Sequence, residues 1–406
     1  MSALVGAVLP SFLTLAQTSP DPESLRLWAY AGFIGLVLVF LALDLGVFHR
    51  EAHVVSMKEA ITWSVIWLTC GLSFAGFVYF AYEHHWLGLG LNTPMYNPAS
   101  AGGASGDLIV QGTVNGRAAA SQYLTGYVVE KSLAMDNIFV IALIFSFFAV
   151  PPKYQHRVLF WGIIGALLMR GGMIFLGSEL ILRYQWILIF FGAFLLLTAL
   201  KMALIKGHDD VSQNRAVRLA RRLFPTVDFY DGQRFFTRRT LKPTYSRDAR
   251  GREVMDPPPP GSLSARWAIT PLFLALLLVE ITDLVFAVDS IPAIFAITPD
   301  PFIVFTSNIF AILGLRSLYF CLAVLITRFR FLKPALILIL AFVGVKLLLL
   351  SLPPYLHRIV GVLGFTAEPL EPVKVDTALS LLVVVGVLAA ATVASIVFPR
   401  SGAKHA

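Results

Sequence analysis

Five carboxylates stand in stretches that otherwise hold little but apolar residues. Glu130 and Asp136 lie in EKSLAMDNI, and Glu280, Asp283 and Asp289 lie in VEITDLVFAVDSI. An Asp, Lys or Arg at the centre of a membrane helix costs roughly 2.5–3.5 kcal/mol on insertion scales, so something must offset five acids. One reading pairs them with the four basic residues of neighbouring apolar stretches, Arg170, Arg316, Lys201 and Lys346, as buried salt bridges. The other has them line a cation site. Four cations cannot neutralise five anions, and buried ion pairs often cost more than they return. The cation site is therefore the expectation, with the basic residues as partial counter-charges. Its donors are hard oxygens, without Cys or His, which suits Mn²⁺, Mg²⁺ or Ca²⁺ over Zn²⁺ or Cu⁺. Asn137 and Asn308 are either further ligands or interhelical hydrogen-bond partners.

These residues recur in order. From Glu130 and from Asp283 the chain reads acid, two residues, Leu or Phe, Ala, Met or Val, Asp, Asn or Ser, Ile. Each motif is followed by an apolar stretch bearing an arginine (Arg170 in GALLMRGGMIF, Arg316 in AILGLRSLYF). A third stretch bears a lysine (Lys201, Lys346). Two copies of a three-helix unit, joined on one side of a membrane, must run in opposite directions. Such inverted repeats typify secondary transporters, with the substrate site near the bilayer midplane. At 100° per residue Glu280 and Asp283 share a helix face, whereas Asp289 points about 120° away from Asp283. Pro292 clashes with the carbonyl of Val288, which predicts a kink or an unwound turn there.

Composition sets the frame. Of 406 residues, 57% are hydrophobic and 14% charged, with a mean hydropathy of +0.76. Soluble domains carry about 25% charged residues, so an ordinary soluble enzyme, a disulfide scaffold and a disordered protein are excluded. The expected fold is all-α: a polytopic membrane protein of about nine helices, with an inverted 3+3 repeat. The spans fall near 25–48, 61–82, 121–150, 158–180, 184–205, 270–297, 302–326, 336–352 and 379–398. With the N-terminus outside, the inside segments hold 22 Lys and Arg and the outside segments 5. Basic loops stay cytoplasmic, so the N-terminus is expected outside and the C-terminus inside, in a bacterial cytoplasmic membrane. The net charge of +8 then reflects topology and lipid headgroups, not nucleic acid.

The chain divides accordingly. Residues 1–24 are an external lead rather than a cleaved signal peptide, 25–82 hold two accessory helices, and 83–120 form a flexible, Gly-rich external loop. Residues 121–205 and 270–352 are the two repeats, and 206–269 are a basic internal loop. Residues 353–406 hold an external loop, the last helix and the tail. Within the basic loop, NRAVRLARRLF (214–224) is either an amphipathic helix on the membrane surface or a solvated linker. Asp44, close to His49 and Arg50, reads as an interfacial charge. His84 and His85 are adjacent and cannot share a helical face, which argues against a metal site there.

The stretches EKSLAMDNIFVIALIF and VEITDLVFAVDSIPAIFAIT, with DPFIVFTSNIFAILGLRSLYF after them, resemble the TerC family of integral membrane proteins. That resemblance implies a role in manganese efflux and metal homeostasis; the family takes its name from tellurium-resistance operons. It also implies that Glu130, Asp136, Glu280, Asp283 and Asp289 are the metal ligands. The expected function is export of a divalent cation, Mn²⁺ foremost, by proton antiport, with no prosthetic group and no enzymatic activity. Motifs of the Walker, HExxH or GxSxG type are not found in the sequence. The alternative is a non-transporting membrane component of a metal or tellurite stress-response complex.

Overall fold

The computed structural model describes residues 22–46, 56–97, 108–204, 222, 224–247, 253–259, 263–325, 331–362 and 372–397. Helices dominate, because long apolar runs in lipid have only their own backbone to satisfy each N–H and C=O. They are α1 (Pro22–Gly46), α2 (Met57–Glu83), α3 (Gly116–Phe147), α4 (Pro152–Arg183) and α5 (Ile187–Leu204), then α6 (Pro271–Phe295), α7 (Pro301–Ile312), α8 (Leu315–Leu325), α9 (Leu332–Val362) and α10 (Thr377–Val397). Among the described residues, eight stretches are long and apolar enough to cross a membrane, with α7 and the start of α8 counted as one. Their outer surfaces are greasy: Leu168 is 71% exposed and Phe175 73%. Water would not tolerate such a belt on a monomer; acyl chains would.

The first acidic motif lies on α3, which is not among those eight. Its position explains its polarity. α3 is packed by α2, α6, α7, α8 and α10, so it faces protein rather than lipid. It also runs from one end of the bundle to the other. At its start the Gly116 N–H donates to Glu83 at 2.9 Å. Just past its end, the Tyr230 hydroxyl donates to the Phe148 carbonyl at 2.6 Å.

Several elements depart from the sequence reading. The expected seventh span is broken: α7 stops at Ile312, Leu313 is extended, Gly314 takes φ +80°, and α8 begins at Leu315. A Cβ on Gly314 would lie 2.5 Å from Trp67 Cβ, so glycine is required twice over. Conversely, α6 runs unbroken through Pro292 and ends at Phe295. The proline lies so near the C-terminus that the helix stops within a turn instead of unwinding. The expected short eighth span is the 31-residue α9, which continues through Pro353 and Pro354.

The loops are more ordered than their composition implied. Between α2 and α3, β1 (Thr93–Tyr96) pairs antiparallel with β2 (Ile109–Gly112), and the Tyr96 hydroxyl donates to Phe295 O at 2.6 Å. At the opposite end β3 (Phe236–Arg239) pairs with β6 (Leu263–Ile269), and β4 (Tyr245–Arg247) with β5 (Glu253–Met255). Nearly all of the 214–224 stretch, and the side chain of Asp44, lie outside the described residues.

Candidate cation site

Four helices meet around Arg170 of α4. Small residues permit the approach: Gly162, Gly165 and Gly177 of α4 face Val279, Glu280, Ile291 and Phe295 of α6. A Cβ on Gly162 would stand 3.3 Å from Val279 Cγ1, and one on Gly165 would overlap the Glu280 carboxylate. That carboxylate is thus laid against bare α4 backbone.

Arg170 is buried, and its guanidinium is shared. Nη1 forms an ion pair with Glu130 Oε1 of α3. Nη2 donates to Asp283 Oδ1 at 2.9 Å and Nε to Asp283 Oδ2 at 3.2 Å, a two-pronged grip on the α6 carboxylate. Nη1 also lies 3.4 Å from Ser290 Oγ of α6 and from Asn308 Oδ1 of α7. From α3, Asn137 Nδ2 donates to Asp283 Oδ1 at 3.2 Å. In the motif alignment Glu130 and Asp283 are the same position, so one arginine gathers the matching acid of each motif.

The cluster is under-satisfied. Glu130 Oε2, Glu280 Oε2 and Asn137 Oδ1 are buried without a hydrogen-bond partner among the described residues, as is Asn308 Nδ2. An orphaned buried polar atom costs about 1–3 kcal/mol, more when charged. Three such oxygens within one cluster make an environment that a cation would relieve. Among the described residues, however, no three of His, Cys, Asp and Glu come together as a metal-binding group. The side chains of Asp136 and Asp289 lie outside the described residues, although both positions are helical.

The expected counter-charges divide. Among the described residues, Arg170 is the one of the four with contacts to the acids. Arg316, two residues past the Gly314 break, turns to His156, with Nη1 and Nε2 2.8 Å apart. Lys346 donates to Ser380 Oγ of α10 at 2.9 Å. Lys201 is exposed near the end of α5. These described partners could not be read from residue type and order in the sequence.

Two features were passed over in the sequence. Lys131, adjacent to Glu130, reaches the end of α7: Nζ is 3.1 Å from Ala311 O and 3.3 Å from Leu313 O. The other is the break it caps, whose only written signal is Gly314 inside an apolar run.

With this geometry in hand, the similar proteins can be set beside it. Residues 115–402 match the model of the family described as "Integral membrane protein TerC family". An uncharacterized membrane protein of Myxococcus xanthus, STKORF319, is 40% identical over 95% of this chain and 96% of its own length. The Escherichia coli K12 protein named "Putative membrane-bound redox modulator Alx" is 41% identical over 79% of this chain and 86% of its own. An uncharacterized membrane protein of Rickettsia bellii is 35% identical over 85% and 98%. No solved structure matches the chain.

Proposed function

The chain belongs to the TerC family of integral membrane proteins, and from that premise we propose that it is a secondary transporter. It exports a divalent metal cation, Mn²⁺ foremost, across the cytoplasmic membrane in exchange for protons. The supporting observation is the meeting of Glu130 and Asp283 at Arg170, with buried oxygens of Glu130, Glu280 and Asn137 that have no partner among the described residues. Glu130, Asp136, Glu280, Asp283 and Asp289 are the ligands, and Arg170 is their resident counter-charge while no metal is bound. Asn137 is a further ligand through its free Oδ1.

The chemistry follows from competition. A divalent ion entering this cluster needs carboxylate oxygens that Arg170 holds. The guanidinium has neutral partners within reach, Ser290 Oγ and Asn308 Oδ1, so it can turn toward them and release Glu130 and Asp283. Metal ligands must be deprotonated, which makes metal binding release protons and protonation release metal. Rocking of the two repeats about the cluster then opens it to alternate sides.

The test is Mn²⁺ flux in proteoliposomes with controlled interior and exterior pH. The expected result is flux driven by a proton gradient and abolished by Asp283→Asn, Asp136→Asn or Asp289→Asn with normal reconstitution. Flux indifferent to the gradient removes proton coupling. Full flux in all three variants removes the carrier and leaves a non-transporting membrane component.

A further inference from the structure

We propose that the break between α7 and α8 is a monovalent-cation site already filled from within, the Lys131 ammonium standing where a free cation would otherwise bind. The last carbonyls of any helix lack a following turn of N–H donors, and they form the negative end of its dipole. At a helix end inside lipid no water is on hand to satisfy them. In broken membrane helices such carbonyls coordinate cations. Here α7 ends at Ile312 in the bundle interior, where Ala311 to Leu313 are all buried. Lys131 Nζ lies 3.1 and 3.3 Å from the carbonyls of Ala311 and Leu313. An ammonium has three donors, and two of them are spent on this helix end.

The repeat supplies a control within the molecule. Aligned on Arg170 and Arg316, Gly314 takes the place of Leu168. At Leu168 α4 is continuous from Pro152 to Arg183. Aligned on Glu130 and Asp283, Lys131 takes the place of Leu284. The packing follows the same exchange: α3 lies against α7, and α6 against α4. The acidic helix that faces the broken partner carries the lysine. The acidic helix that faces the unbroken partner carries leucine. Break and ammonium therefore occur together or not at all, as expected if the one exists to satisfy the other.

The site also bears on the acid cluster. α7 is a single 12-residue helix, with Lys131 at its C-terminal end and Asn308 one turn earlier against Arg170. Lys131 thus holds in place the helix that presents Asn308. Because the cation is tethered, the break needs no sodium ion from solution.

The experiment is thermal unfolding of the purified full chain in detergent, in choline, sodium and methylammonium chloride at equal ionic strength. Wild type should unfold at one temperature in all three. Lys131→Ala should unfold several degrees lower in choline and recover, saturably, with sodium or methylammonium, which fit the vacated carbonyls. A variant midpoint that ignores the cation, or a wild-type midpoint that rises equally, overturns the proposal. Should Lys131→Ala not fold, Lys131→Met keeps the stem; it is expected to show the same recovery, and a wild-type midpoint in choline would overturn the idea. These readouts do not involve flux, so the result is independent of the transport reading.

Discussion

Arg170 is the residue on which most of the charge balance rests. Truncating it to Met would take the guanidinium from buried Glu130 and half-buried Asp283, a change that costs up to about 3–5 kcal/mol when a buried pair loses one partner. Arg170→Met should therefore lower the unfolding midpoint more than Asp283→Asn does. Adding Asp283→Asn to Arg170→Met should restore part of the loss, since contacting residues are not additive; a strictly additive double variant would mean that the grip seen between them carries no energy. At Gly165 the expectation is different. An alanine there displaces the Glu280 carboxylate while leaving the charge count alone. Gly165→Ala should cost about 1–3 kcal/mol by overpacking and reduce Mn²⁺ flux well beyond its effect on stability. Flux that follows the stability loss alone would place Glu280 outside the cation path.

The α7–α8 unit is held at its start and at its break. Asp300 caps its start, with Oδ1 accepting the Phe302 N–H at 2.9 Å and Oδ2 the Tyr82 hydroxyl at 2.6 Å. Asp300→Ala loses a cap of about 1 kcal/mol and orphans a buried hydroxyl for about 1–3 kcal/mol more. Tyr82→Phe made in the Asp300→Ala background should return much of the second portion in an unfolding measurement. Between the two helices Gly314→Ala meets both a positive φ and the Trp67 side chain, and should destabilise by about 1–3 kcal/mol without altering the acid cluster's charge. The sequence disclosed the acids, the arginine and the helices that carry them, because charge inside an apolar run is conspicuous. It pointed to a kink or an unwound turn at Pro292 and missed the break at Gly314. A proline's effect depends on its distance from the helix end, and a glycine's on whether a neighbour such as Trp67 fills the space a side chain would take. Lys131 was overlooked because beside Glu130 it reads as a local charge partner. Only the packing of α3 on α7 shows that it points elsewhere.

At the scale of the molecule, everything about sidedness turns on whether α3 crosses the membrane. By apolarity alone it does not qualify, yet it is walled off from lipid by its neighbours, and the two ends of the bundle bind its two ends. Near its start lie Glu83, β1 and β2; near its end lie Tyr230 and the β3–β6 sheet, through Phe148 and Thr270. Between β2 and β6 the chain passes through α3, α4 and α5. Three crossings put those strands on opposite sides, whereas two would put them on the same side. The basic-residue asymmetry of 22 to 5 predicts that β2 lies outside. With Cys70 and Cys321 replaced by alanine, a single cysteine at Gln111 should react with a membrane-impermeant maleimide in intact cells. One at Trp267, which is 63% exposed, should react only after permeabilisation. Labelling of both from outside would mean that α3 does not cross. The acids of the two motifs could then no longer belong to oppositely oriented halves, and the alternating-access reading would lose its symmetry.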